Sequence, residues 1–242
     1  MSIRDSLVDL VAHTYELGNV NTIKITGDDT STLISAVSED RSAVIEGEFT
    51  TAIADFKGLF GMVNLAKLKI LLGLGEYKDG AKISISRRPN GDPDGLDFEN
   101  ALGDFKNNYR FMSAEVVEER LKTPKFRGAN WNVEFTPTVA AINRLKMQAS
   151  ANAEETTFQT KTEGGDLKFF FGDHSTHAGD FVFQAGVNGS LARAWSWPVK
   201  TVISILDLTG DKVFQISDDG AAQITVNSGI ATYRFILPAQ QK

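Results

Sequence analysis

Cysteine is absent from the 242 residues. Disulfide cross-links and thiolate metal ligands are therefore excluded, and a reducing cytoplasm is the natural setting. Histidine is scarce, at 3 residues, which leaves little material for an imidazole-based acid–base or metal centre. No run approaches the ~18 consecutive apolar residues that a membrane helix needs. The N-terminus lacks the basic-then-apolar order of a secretory signal. Positive charge is not in excess either: 25 Lys and Arg stand against 31 Asp and Glu, a net charge of -6. That balance excludes strong nucleic-acid binding through a dense basic surface that releases counterions. P-loop, dinucleotide and nucleophile-elbow motifs are missing.

What is present is ordinary globular composition, 42% hydrophobic and 23% charged, in which one pattern is written twice. Ser2 to Glu16 places Ile3, Leu7, Leu10 and Val11 at helical spacing. Strands are expected at Val20 to Ile25 and Leu33 to Val37, around the Gly27-Asp28-Asp29 turn, and at Ala43 to Phe49. Phe56 to Val63 reads as a short helix that runs into an alternating segment, Lys67 to Leu72. A turn at Asp79-Gly80 and a strand, Ala81 to Ile85, follow. The second half repeats the order: helix Pro137 to Ala149, strands Thr156 to Thr160, Leu167 to Phe171 and Phe181 to Phe183, helix Val199 to Leu206, strands Lys212 to Ile216 and Gln223 to Val226. An offset of about 140 residues means two tandem copies rather than a solenoid. The fold class is α+β, dominated by antiparallel hairpins. The halves are 1–112 and 130–242. The polar, turn-prone segment 113–129, with Lys122-Thr123-Pro124-Lys125-Phe126-Arg127-Gly128, connects them.

Catalytic signals are poor. Asp173, His174 and His177 group a carboxylate with two imidazoles, but they follow the strand Leu167 to Phe171 and precede Gly179, the context of a hairpin loop. Asn90-Gly91-Asp92-Pro93-Asp94-Gly95 opens like a calcium loop, yet Ala101 stands where a bidentate Glu is needed. No enzyme activity, cofactor or metal is expected. Arg4, Lys57, Arg144, Lys146 and Lys200 lie on the expected helices or at their starts, while Asp28, Asp29, Glu39, Asp40, Glu46, Glu48, Asp218 and Asp219 belong to hairpins. The helices could therefore share a relatively cationic face suited to loose phosphate contact. Solvated helix positions explain the same residues as well, and Asp5 and Asp9 count against a uniformly positive face.

The chain resembles the DNA polymerase sliding clamps, most closely those of T4-like bacteriophages. The resemblance spans nearly all of it. Its most specific pieces are Thr51-Ala52-Ile53-Ala54-Asp55-Phe56-Lys57-Gly58-Leu59-Phe60-Gly61-Met62-Val63, similar to the strand-to-helix passage of the first clamp domain, and Ala231-Thr232-Tyr233-Arg234-Phe235-Ile236-Leu237-Pro238-Ala239, similar to the final strand and tail. The stretches Lys67 to Asp79 and Arg87 to Glu99 depart from the phage pattern.

The resemblance implies two tandem clamp domains that close as a head-to-tail homotrimer, helices toward the hole and sheets outside. Such a ring encircles duplex DNA independently of sequence, is opened by a clamp loader, and tethers the replicative polymerase in viral DNA replication, with recruitment of a sigma-like late-transcription factor as an extension. Arg4, Lys57, Arg144, Lys146 and Lys200 would face DNA. Strands Lys106 to Met112 and Asp180 to Gln184 would pair between subunits, with Tyr109, Phe111, Phe181 and Phe183 at that interface; burial within their own sheets is the alternative for each. Val37, Arg41, Phe235, Leu237 and Pro238 would line a pocket for partner peptides, against the plain alternative that Phe235 and Leu237 are core. Two other readings remain. One is a β-rich structural oligomer of a virion with no DNA role. The other is a hydrolase using Asp173, His174 and His177.

Overall fold

The computed structural model describes residues 2–173, 175 and 177–240. In chain order the elements are α1 (Ile3–His13), β1 (Thr22–Gly27), β2 (Thr32–Val37), β3 (Val44–Phe49), β4 (Gly58–Val63), α2 (Leu65–Gly73), β5 (Lys82–Arg87), β6 (Pro93–Glu99), β7 (Lys106–Met112), α3 (Ala114–Arg120), β8 (Val133–Phe135), α4 (Val139–Ala151), β9 (Thr157–Glu163), β10 (Asp166–Gly172), β11 (Ala178–Gln184), β12 (Ser196–Pro198), α5 (Val199–Asp207), β13 (Asp211–Ile216), β14 (Ala221–Asn227) and β15 (Ala231–Pro238). They divide into two compact units, Met1–Pro124 with Asn227–Tyr233, and Lys125–Val226 with Arg234–Lys242.

In the first unit, Ser2 and Asp5 form a reciprocal capping box that starts α1, satisfying two amide donors that a helix start leaves open. Leu7, Leu10 and Val11 then fall on the buried face. The strands run in the order β5-β6-β7-β4-β1-β2-β3. In the second unit, Thr138 caps α4 by accepting from the Ala141 amide at 3.1 Å, and Ile142 and Leu145 face inward. Here β15-β14-β13-β8 run side by side, and β11-β10-β9-β12 form a separate four-stranded sheet. That sheet buries an aromatic stack. Phe169 packs on Phe158 at 4.5 Å and on Phe183 at 4.2 Å between ring centroids, and the Trp197 indole donates to the Thr160 hydroxyl at 3.0 Å. Each ring so buried contributes about 1.5–3 kcal/mol relative to exposure.

The α+β, hairpin-dominated architecture agrees with the sequence, but one passage is inverted. Residues 56–63 are not a helix: a single 3-10 turn, Ala54–Phe56, leads into strand β4. The alternation of buried Phe60 and Met62 on β4 is a period of two. Residues 67–72 are not a strand but belong to α2, with Leu65, Leu68, Leu71 and Leu72 buried at helical spacing. Gly61 explains the glycine in the strand. A β-carbon there would lie 2.4 Å from Val117 of α3, so α3 docks where a side chain would stand. The segment expected to be a polar connector thus begins as a helix packed on β4. The calcium-like stretch is a tight turn: the Arg88 amide donates to the Asp92 carbonyl at 2.8 Å, and β6 starts at Pro93.

Candidate nucleic-acid interface

The first-unit helices α1 and α2 pack together, as do α4 and α5 in the second unit. Their outward residues decide what a ligand would meet. On α1, Arg4 is half-buried and turned inward: its Nε donates to the Tyr77 carbonyl at 3.0 Å and its Nη2 to the Leu72 carbonyl at 2.9 Å. It braces the end of α2. The two carboxylates of α1 are also engaged. Asp5 accepts from the Ser2 amide at 3.2 Å, and hydrogen bonds from Ser2 hold its carboxyl below the usual range. Asp9 accepts from the Tyr233 hydroxyl at 2.8 Å and the Ser228 hydroxyl at 3.1 Å.

Helix α2 carries Lys67 and Lys69, both exposed, and no carboxylate. Lys69 pairs with Glu16 at 2.6 Å, and that hydrogen bond raises its ammonium pKa. Reading residues 67–72 as a strand concealed both lysines as helix cations; the Leu65/Leu68/Leu72 spacing was the signal that could have found them. Helix α4 also lacks carboxylates. Its Arg144 lies 5.3 Å from the Phe181 ring and donates to the Val182 carbonyl at 3.2 Å. Lys146 forms an ion pair with Asp207 of α5, and Lys200 of α5 is exposed. The four repeated helices thus hold six Lys or Arg (Arg4, Lys67, Lys69, Arg144, Lys146, Lys200) against three carboxylates (Asp5, Asp9, Asp207). Their balance is positive in a chain whose total is -6. Large apolar groups stand among them: Val139 is 76% exposed, Met147 64% and Ile70 60%. Lys57 does not belong to this set. It precedes β4 rather than opening a helix, and it forms an ion pair with Asp29 in the β1–β2 turn.

The aromatic residues expected between subunits lie in their own cores. Tyr109, Phe111, Phe181 and Phe183 are all buried. The Tyr109 hydroxyl donates to the Val63 carbonyl, and burial pushes its pKa well up. Phe111 meets Phe60 edge-on at 5.4 Å, and Phe183 stacks on Phe169. The cause is strand alternation, which turns these residues inward and leaves Lys106, Asn108, Arg110 and Asp180 exposed. The strand edges themselves are open among the described residues. There β11 pairs only with β10. β7 pairs with β6 over Lys106–Arg110, but with β4 only at Phe111 and Met112.

In the expected peptide pocket, Phe235 and Leu237 are fully buried core residues, so their side chains offer no docking surface. Pro238 is exposed. Val37 is half-buried at the end of β2, and Arg41 is exposed with a positive φ of 57°. Val37 and Arg41 belong to the first unit and Phe235, Leu237 and Pro238 to the second.

The expected hairpin loop carries no metal centre among the described residues; His174 lies outside them. Asp173 accepts from the Ser175 amide at 2.7 Å, closing the turn, and His177 is exposed.

No protein-family model matches the chain, and no curated protein matches it. Solved structures do. PCNA from Thermococcus kodakaraensis superposes with a TM-score of 0.70 at 10% identity, covering 99% of this chain and 98% of that one. A. fulgidus PCNA, solved with the C-terminal region of FEN-1 bound, gives 0.69 at 11% identity over 99% and 95%. Proliferating cellular nuclear antigen from Entamoeba histolytica gives 0.67 at 10% identity over 98% and 94%. Over nearly its whole length, this chain has the sliding-clamp fold.

Proposed function

We propose that this protein is a DNA sliding clamp: copies of the chain close around duplex DNA and tether a replicative polymerase. The observation that carries the reading is the fold itself, matched to PCNA across 99% of the chain. Two local features support it. The helices of the repeat are positive within an acidic protein, and α2 and α4 present Lys67, Lys69, Arg144 and Lys146 without a carboxylate of their own. A few sequence-blind phosphate contacts suit sliding better than a dense basic patch. Exposed Lys200 joins the proposed set; Arg4, whose donors are spent on the Leu72 and Tyr77 carbonyls, and Lys57, which precedes β4 and stands on none of the helices, leave it.

The open edges of β7 and β11 suit pairing between copies. An unlike pair of edges gives a heterologous contact, which can close a ring, and closure covers backbone that would otherwise template aggregation. We propose a trimer. The outward residues Lys106 and Arg110 of β7 and Asp180 of β11, rather than the buried aromatics, would contribute side chains to the contact. Partner peptides would dock as the FEN-1 segment does on the A. fulgidus protein; of the residues expected to take part, Val37 and Arg41 of the first unit and Pro238 of the second each keep an accessible side chain. Tethering then raises the effective concentration of polymerase at the primer end. Loading by an ATP-driven clamp loader, a role in viral replication and recruitment of a late-transcription factor rest on the phage-like resemblance of residues 51–63 and 231–239 alone.

Light scattering across a dilution series, paired with DNA retention, tests this reading. A particle near three times 26.4 kDa that stays on nicked circular DNA and leaves after linearisation is the expected result. A persistent monomer at high concentration would overturn encirclement. A stable oligomer indifferent to DNA topology would favour the structural-oligomer reading instead.

A further inference from the structure

The polar cluster around Asp9 lies outside the proposed DNA and subunit contacts. Residues Asn227–Tyr233, the turn between β14 and β15 with its flanking residues, belong to the first unit although most of both strands belongs to the second. The turn is well organised by its own groups. The Ser228 hydroxyl accepts from the Ala231 amide at 3.0 Å, the Asn227 carboxamide accepts from the Gly229 amide at 2.8 Å, and the Ser228 amide donates to the Ala231 carbonyl at 3.0 Å. Its seat on the first unit adds further bonds, the Ser228 hydroxyl taking part in both. The Asp9 carboxylate accepts from Tyr233 at 2.8 Å and Ser228 at 3.1 Å, and the Thr50 amide donates to the Ile230 carbonyl at 2.9 Å. The His13 ring lies flat on the Tyr233 ring, 4.7 Å between centroids with 7° between planes. Its Nδ1 is 2.9 Å from the Asp9 carbonyl and 3.3 Å from the Asp9 carboxylate, so that nitrogen carries the hydrogen. Tyr233 is fully buried and His13 nearly so.

We propose that Asp9 is a clasp. One carboxylate on α1 fastens the β14–β15 turn to the first unit, and His13 holds that carboxylate and the Tyr233 ring in register. The chemistry favours this arrangement because hydrogen bonds to an ionised acceptor are roughly twice as strong as neutral ones. A buried hydroxyl left without its acceptor is costly. The turn keeps its internal bonds when the clasp opens, so residues 227–233 release as a unit while the rest of β14 and β15 persists. The clasp stands independently of the sliding-clamp reading and would hold for any function of this chain.

Hydrogen exchange by NMR on the full chain tests it, comparing Asp9→Asn and Tyr233→Phe with the wild type. Both variants should exchange the amides of residues 227–233 about tenfold faster, one decade being 1.36 kcal/mol, while amides of β9 and β10 remain unchanged. The double variant should show little more than either single change, the mark of one shared interaction. In Asp9→Asn the nitrogen-15 shifts of the His13 ring should also move, reporting the loss of the carboxylate beside Nδ1. Exchange at 227–233 within twofold of wild type in both variants overturns the clasp. So does acceleration spread evenly over the whole chain, or full additivity of the two changes. Should Asp9→Asn fail to fold, Tyr233→Phe with His13→Gln gives the comparison with the carboxylate and the turn's own bonds intact.

Discussion

Gly61 shows how one missing side chain positions an element. Its absent β-carbon is the space in which Val117 seats α3 against β4, and Met112 closes the same space at 2.9 Å. Gly61→Ala must therefore push the helix or the neighbouring strand aside. Thermal unfolding should show a loss of about 1–3 kcal/mol, the usual cost of overpacking. At the opposite extreme of burial, Asp28 in the exposed β1–β2 turn accepts from the Thr30 hydroxyl at 2.6 Å and amide at 2.7 Å, and from the Ser31 amide at 2.8 Å. Those bonds, the Thr30 hydroxyl first, lower its pKa to about 2. A carboxyl depressed in the folded state stabilises it fully above the unfolded value, near 4, and that contribution is lost as pH falls toward about 2. A carbon-13 titration of the Asp28 carboxyl should give a midpoint near 2, and Asp28→Asn should remove this part of the acid sensitivity of the turn.

Helix α2 is the element on which sequence and structure part, and it carries a functional expectation. Lys67→Glu with Lys69→Glu leaves Leu65, Leu68, Leu71 and Leu72 in place, so the fold should survive. Retention on circular DNA should fall at moderate salt, and the slope of log affinity against log salt should flatten by about one for each phosphate no longer touched. Changing Lys57 to Glu should do far less, because that residue precedes β4 and stands on none of the four helices. Most of the element plan was legible. The helical spacing of Ile3, Leu7, Leu10 and Val11 in α1, the helix expected from Pro137 that is α4, and the strongly alternating β10 with Leu167, Phe169 and Phe171 all carry their own local signal. The passage from Phe56 to Leu72 did not. Its apolar residues are dense enough to satisfy both periods, and the deciding partner, Val117, lies far along the chain. The candidate site was less legible than the fold. Charge type at a position is visible in sequence, but whether Arg4 points outward or spends its donors on the carbonyls of Leu72 and Tyr77 depends on tertiary packing. The same holds for Phe235 and Leu237, whose alternation suits a pocket wall and a core equally well; only their burial separates the two.

At the scale of the molecule, the chain passes between its two units at residues 124/125, 226/227 and 233/234. The connector is one link among three, and residues 121–131 contain no helix or strand while carrying Lys122, Lys125 and Arg127. Limited trypsin should cut there first. Ordinary two-domain proteins come apart into separate pieces after such a cut. Here the C-terminal fragment would still own the turn 227–233 embedded in the N-terminal unit, so the nicked protein should run as one particle in gel filtration and separate only in denaturant. Two peptides expressed separately from either side of that cut would then find each other without any tether, because the fragment carrying β14 and β15 brings with it a piece that the first unit needs to complete its own interior. The repeated order of helices and strands is thus not divisible at residues 124/125, because the first unit is complete only with residues 227–233.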